Sequence, residues 1–240
     1  MMEFGNSHFP DSKGGDGGTV SRERVYAFLG LLSHDIRNDL NAIDLMSCYL
    51  QELSSEEAVI AELSQLRSAV SYSAKRMVAI SRALLPAEAE LLSYSLLELA
   101  EDFVGHLHKV CPEIVERVKP EMVRPDCEVE VDVELFFEAM TELVQNAVAF
   151  SDEKEPVFVR VRACEAGGLW EVRQGWSGDS LRAEQWGREP FVSTRRGRYG
   201  IGLFHARKAL EAQNAELEFQ HDIQAAVLTT VVRLKRGSLR

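Results

Sequence analysis

What this sequence lacks narrows it quickly. No run approaches the ~18–20 consecutive apolar residues of a membrane span. Met1 to Val20 has no apolar core between charged and small-residue flanks, so it does not read as a secretory signal. The four cysteines, Cys48, Cys111, Cys127 and Cys164, include no Cys-x-x-Cys pair. That argues against a zinc knuckle or disulfide scaffold and fits reduced thiols in a cytoplasmic protein. Basic residues are scarce: 27 Lys+Arg against 38 Asp+Glu gives a net charge of −11. Non-specific binding to nucleic acid or to an anionic membrane is therefore not expected, although a local basic pocket can still take a small anion. What remains is a chain of 240 residues, 45% hydrophobic, enough for one large domain or two small ones.

Residues 1–20 are rich in Gly, Ser and Asp and read as a flexible tail containing His8. Residues 21–88 read as a helical hairpin. Val25, Leu29, Leu32, Ile36, Leu40, Ile43, Met46, Leu50 and Leu53 recur every three or four residues, one apolar stripe on a long helix. Ser54-Ser55-Glu56-Glu57 opens a second helix. There Leu63, Val70, Met77 and Leu84 fall every seven residues, with Val59, Leu66, Ser73 and Ile80 between them, until Pro86 ends it. An isolated antiparallel hairpin leaves half of each stripe wet, so two hairpins pairing into a four-helix bundle, a homodimer, is the expected arrangement.

Residues 89–240 read differently. Leu91 to Val110 has helical spacing, Cys127–Val131 strand alternation, and Val133 to Phe150 is a helix capped by Asp132. Val157–Arg162 and Leu169–Gln174 read as strands joined by a turn at Ala166-Gly167-Gly168. A polar Gly-rich stretch runs from Gly175 to Gly200, followed by a helix over Ile201 to Gln213 and strands at Leu217–Gln220 and Ala225–Leu234. Helices and antiparallel strands mixed without β-α-β alternation predict an α+β sandwich.

Two regions carry chemistry. In Ser33-His34-Asp35-Ile36-Arg37-Asn38, His34 lies about 160° round the helix from both Leu32 and Ile36, away from the apolar stripe. Asn38 is one turn on, on the same face, and Asp35 is adjacent. A carboxylate beside an imidazole holds one tautomer and raises the basicity of the other nitrogen, which makes an exposed nucleophile. The second region has three pieces. Asn146 sits on the 133–150 helix, its amide oxygen a plausible Mg²⁺ ligand, with Glu142 one turn earlier as a general base or metal-water contact. Arg195-Arg196-Gly197-Arg198-Tyr199-Gly200-Ile201-Gly202-Leu203 places glycines and arginines at a helix start, where backbone N–H groups and the helix dipole favour phosphate. Gln174-Gly175-Trp176-Ser177-Gly178 follows a strand. His106 and His108, two apart on one helix, are poor metal geometry and read as surface, as does His205; Trp170 and Trp186 read as packing residues, and Glu165 and the Asp152–Glu155 run as solvated charge.

In this order the segments resemble the two-component histidine kinases. SHDIRNDLNAI is similar to their H-box, ELVQNA to the N-box, and REPFVSTRRGRYGIGLFHARKALEA to the F-box, ATP lid and G2-box, a resemblance running from about Arg22 to Leu234. It implies a phosphoacceptor hairpin followed by a GHKL-type ATP-binding domain, with His34 accepting phosphate, Asp35 as general base and Asn38 serving dephosphorylation of a partner. It also implies ATP and Mg²⁺ as cofactors, with Asn146 on the metal and Glu142, Gln174, Gly178, Arg195, Arg196, Gly200 and Gly202 around the nucleotide. Four positions depart from the family pattern, one of them Glu142, which stands where the N-box has its first Asn, a form also seen among related ATPases. Gln174 stands where the family has its adenine-binding Asp, offering a neutral acceptor instead of a carboxylate. Trp176 replaces the first glycine of that motif, and Asp39 replaces the H-box proline.

The leading expectation is a cytoplasmic, dimeric histidine kinase that phosphorylates His34 from ATP and hands the phosphate to a response-regulator receiver domain, with any upstream signal arriving from a sensor partner. The alternative, motivated by Gln174 and Trp176, is a histidine phosphotransferase or response-regulator phosphatase whose nucleotide site has decayed. A third reading, a GHKL-type ATPase or scaffold, uses Glu142 and Asn146 without His34.

Overall fold

A computed structural model describes residues 22–54, 56–84, 86–123, 127–176, 186–190, 192 and 200–237. Helices α1 (Arg22–Leu53) and α2 (Glu57–Leu84) form the hairpin that the apolar spacing predicts. Its seam is narrow and partly polar. Ser33 and Ser47 on α1 and Val70 and Ser81 on α2 are buried, small residues that let two backbones approach closely. Ser47 and Ser81 satisfy their hydroxyls by donating to the carbonyls of Ile43 (2.7 Å) and Met77 (3.0 Å) one turn back. Across the seam Arg67 donates to Asp44 (2.9 Å) and to Gln51 (3.3 Å), and Gln51 in turn donates to Ser64 (3.1 Å). Much of the apolar surface of α1 is left in solvent: Phe28, Leu31, Leu45 and Tyr49, together with Met46 and Leu53 of the predicted stripe, are exposed. No described helix is long and apolar enough to cross a membrane.

The rest of the chain is a sheet with helices on one face. Strands β2 (Val118–Val123), β4 (Val157–Cys164), β5 (Gly167–Gly175), β7 (Val227–Lys235) and β6 (Glu216–Asp222) lie side by side in that order. Only β2 and β4 run parallel. A separate ladder joins β1 (Leu92–Ser95) to β3 (Glu128–Val131). Helices α3 (Leu96–Val110), α5 (Val133–Phe150) and α6 (Gly202–Ala212) supply Leu99, Phe103, Phe136, Met140, Leu210 and their neighbours to one core against Val159, Val161, Trp170 and Val172 of the sheet; the short α4 (Pro112–Val115) caps the end of α3. Trp170 sits at its centre, edge-on to Phe136 (5.0 Å) and to Phe103 (5.6 Å). This is the α+β arrangement expected, with α6 also packed against α2.

Three local expectations are corrected. Leu91 to Val110 is not one helix: Leu92–Ser95 is a strand held by β3, and Ser95 then caps α3. Gly167 and Gly168 are not the turn but the first residues of β5, paired with Lys235 and Leu234. Strand β2 carried no periodic signal and was not expected at all.

Candidate functional site

His34 stands out from α1 with its side chain 68% exposed, and Asp35 is 75% exposed. Two groups compete for its Nδ1: Asp35 Oδ1 at 3.4 Å and Asn38 Nδ2 at 3.3 Å. These choose opposite tautomers. With the proton on Nδ1, the ring donates to Asp35 and Nε2 keeps its lone pair, the nucleophilic form. With the proton on Nε2, Nδ1 accepts from Asn38 and the nucleophile is masked. Among the described residues nothing bonds Nε2. The helix geometry that separates His34 from the apolar stripe therefore assembles the triad that the spacing predicts.

The second cluster lies where α5 faces α6. Asp132 starts α5 by accepting from Leu135 N (3.1 Å), and its other oxygen accepts from Glu90 N (2.9 Å), tying the segment after the hairpin to this helix. Glu142 and Asn146 are half-buried on α5 one turn apart. The Glu142 carboxylate lies so close to Gly202 that a Cβ there would collide with it. Gly200 has φ +63°, a left-handed conformation glycine adopts without strain, and a Cβ there would strike the Val192 carbonyl. Among the described residues no side chain caps α6 at Ile201, which leaves its first N–H groups available to an anion. No group of three His, Cys, Asp or Glu among the described residues forms a metal cage. A Mg²⁺ held here would rely on the Asn146 oxygen, water and phosphate, the usual habit of that ion.

One turn further along, His205 Nε2 meets Glu138 Oε2 at 3.1 Å, the imidazole only 14% exposed. His205 is thus a packed link between α6 and α5, not the surface residue expected. The same correction applies to His106: it is half-buried against Phe103 (6.5 Å) and Phe137 (5.1 Å), and burial lowers its pKa. His108, by contrast, is exposed.

At the end of β5 Gln174 is buried, and its Nε2 has no hydrogen-bond partner among the described residues. Trp176 follows, its N–H bonded to Ala226 O (2.8 Å). Its ring packs on Phe150 of α5 (5.7 Å) and on Trp186 (5.6 Å), and Trp186 packs on Phe219 (5.2 Å). Arg207 of α6 fastens this row by donating twice to Trp186 O (3.1 and 2.9 Å) and lying over the Phe219 ring (5.9 Å). Burial lowers its pKa while Glu211 opposes the shift.

Against solved structures, this chain superposes on full-length ShkA in complex with AMPPNP with a TM-score of 0.72, at 17% identity, over 92% of this chain and 47% of that one. It superposes on the histidine kinase AdeS of Acinetobacter baumannii with a TM-score of 0.53, at 12% identity, over 85% of this chain and 98% of that one. The chain has the histidine-kinase fold. It spans about half the length of ShkA. No protein-family profile matches the sequence, and no curated protein does.

Within the histidine-kinase fold the expected site residues separate into three places. His34, Asp35 and Asn38 meet on α1. Glu142, Asn146, Gly200 and Gly202 gather where α5 meets α6, and Gln174 lies at the end of β5. Gly178, Arg195 and Arg196 lie outside the described residues, as do His8 and the 1–20 tail. Sequence reasoning missed Glu138, Phe150 and Arg207. Glu138 had a signal, since it falls four residues before Glu142 on the same helix face.

Proposed function

We propose that this protein is a dimeric phosphohistidine protein in a two-component pathway: His34 takes a phosphoryl group from ATP and passes it to an aspartate on a response-regulator receiver domain. The observation that carries the reading is the exposed His34 with Nδ1 flanked by Asp35 and Asn38. Bound ATP·Mg²⁺ would supply the γ-phosphoryl group and neutralise charge on the phosphates. The chain's residues do the rest. Asp35 accepts the Nδ1 proton and directs the Nε2 lone pair outward to attack phosphorus. Asn146 offers its amide oxygen to the metal, and the uncapped start of α6 at Gly202 holds phosphate oxygens. Asn38, released from the ring once Nδ1 carries its proton, can orient a water toward the acyl phosphate of a docked regulator. The exposed apolar surface of α1 from Phe28 to Leu53 is the face on which a second hairpin completes a four-helix bundle.

A second reading, a phosphotransferase or regulator phosphatase, rests on the base end of the cleft. At the positions where the resemblance puts the base, Trp176 packs on Phe150 and Gln174 offers a neutral amide in place of a carboxylate. The two readings part in one experiment: incubation with γ-labelled ATP and Mg²⁺, wild type beside His34→Ala. Acid-labile label on the wild type alone establishes a kinase. No label, with a folded dimer that still takes phosphate from a phosphorylated receiver domain, establishes the relay. Label that survives in His34→Ala refutes both.

A further inference from the structure

Helices α5 and α6 meet at two points one turn apart. Glu142 of α5 lies against Gly202 at the start of α6. Glu138, one turn earlier on α5, meets His205, three residues further along α6. The two helices therefore run antiparallel along this seam. Asn146 follows Glu142 by one further turn of α5.

The rest of what α6 buries is of a different kind. Its buried residues are Ala206, Ala209 and Leu210. Apolar contact is non-directional, and alanines present a shallow surface. Such packing holds α6 down without fixing how far it slides along its own axis. The His205–Glu138 contact is directional. Nε2 and Oε2 are 3.1 Å apart, with the imidazole 14% and the carboxylate 32% exposed. An imidazole with its proton on Nε2 donates here whether the ring is neutral or charged. A slip of one residue moves the start of α6 by about 1.5 Å and breaks that bond. No described side chain caps the start of α6; the hold lies one turn in, at His205.

We propose that His205, through Glu138, is a positioning residue for the nucleotide. It sets the start of α6, which takes phosphate oxygens, at a fixed distance from Asn146, which takes the metal. This inference rests on the phosphoryl-transfer reading above. Both holds must reach one ATP·Mg²⁺, so a slip of α6 along α5 keeps one only by losing the other.

The test is titration of the full chain with ATP·Mg²⁺, well below the melting temperature of each variant. Glu138→Ala and His205→Phe should each lose tenfold or more in affinity. Glu138→Gln keeps an oxygen that accepts from Nε2–H and should stay within threefold of wild type. The double variant Glu138→Ala with His205→Phe should be no weaker than either single variant, because one link is cut only once. A purely structural role would lower the melting temperature and leave the nucleotide affinity of the folded protein unchanged. Unchanged affinity in Glu138→Ala or His205→Phe, a Glu138→Gln variant as weak as Glu138→Ala, or additive losses in the double variant would overturn the inference and leave the nucleotide reading standing. No saturable binding by wild type would overturn both.

Discussion

Replacing Trp176 by Gly, together with Gln174→Asp, should convert a crowded base end into an open one. The magnitude follows from what the indole touches. It makes two ring–ring contacts, with Phe150 at 5.7 Å and with Trp186 at 5.6 Å. Aromatic pairs of this kind are worth about 0.5–1.5 kcal/mol each beyond their buried area, so the row resists opening by about 1–3 kcal/mol. A base that must displace the indole from Phe150 loses that amount of binding free energy. At 1.4 kcal/mol per factor of ten, the loss is roughly 5- to 150-fold in affinity. Restoring a carboxylate at 174 adds a charge-assisted hydrogen bond in place of a neutral one, about 1 kcal/mol more. The double variant should therefore bind ATP·Mg²⁺ roughly 30- to 1000-fold more tightly than wild type. Isothermal titration, or anisotropy of a fluorescent ATP analogue, reads this directly. The variant loses the same ring contacts from its own fold, so its melting temperature should drop and must be recorded alongside. An unchanged affinity in a variant that still melts cooperatively would refute the argument that Trp176 occupies the base end.

Three further outcomes follow. Trp170→Ala removes the buried indole between Phe103 and Phe136 and should cost about 3–5 kcal/mol of stability by denaturant titration. Burial holds His106 below its ordinary pKa of 6.5, so its contribution to stability is full above that pH and is lost as pH falls below it. The drop in melting temperature between about pH 7.5 and about pH 5.5 should then be smaller in His106→Phe than in wild type. Arg207→Met keeps the aliphatic stem but removes both hydrogen bonds to Trp186 O; it should lower stability by about 1.5–3 kcal/mol and shift Trp186 emission to longer wavelength in a chain whose other tryptophans are Phe.

Some of the fold was legible because its causes are local. The hairpin follows from apolar residues three and four apart, and α5 from the Asp132 cap. The exposed placement of His34 follows from counting residues round a helix. What was illegible has distant causes. Leu92–Ser95 has the same apolar spacing as the helix after it and is a strand only because β3, more than thirty residues on, pairs with it. Strand β2 contains Pro120 and two charged residues, tolerable only because it is an edge strand whose one partner, β4, runs parallel to it and is remote in sequence. His205 looked like surface because nothing on α6 announces that Glu138 of α5 lies opposite. The same limit hid Arg207: its function as a clamp exists only once the chain brings Trp186 and Phe219 beside α6.

The two ends of the cleft do not weigh equally in deciding between kinase and relay. A base end closed by about 1–3 kcal/mol taxes affinity by roughly 5- to 150-fold but does not abolish it. A site of about 10 µM intrinsic affinity would still fill appreciably at millimolar nucleotide after the full tax. Crowding by Trp176 thus predicts a weak kinase, not a dead one. Loss of activity would need failure at the phosphate end as well, where Gly200 and Gly202 allow Val192 and Glu142 to approach closer than a Cβ would permit and no described side chain caps the start of α6. Helix α6 joins the two ends, since Gly202 faces Glu142, His205 holds Glu138 and Arg207 holds Trp186 within little more than one turn. A ligand that draws the start of α6 onto its phosphates must therefore pull on the aromatic row at the same time. Asn146 is accordingly the residue whose removal separates the readings: Asn146→Ala should abolish labelling of His34 from ATP while leaving transfer from a phosphorylated receiver domain intact.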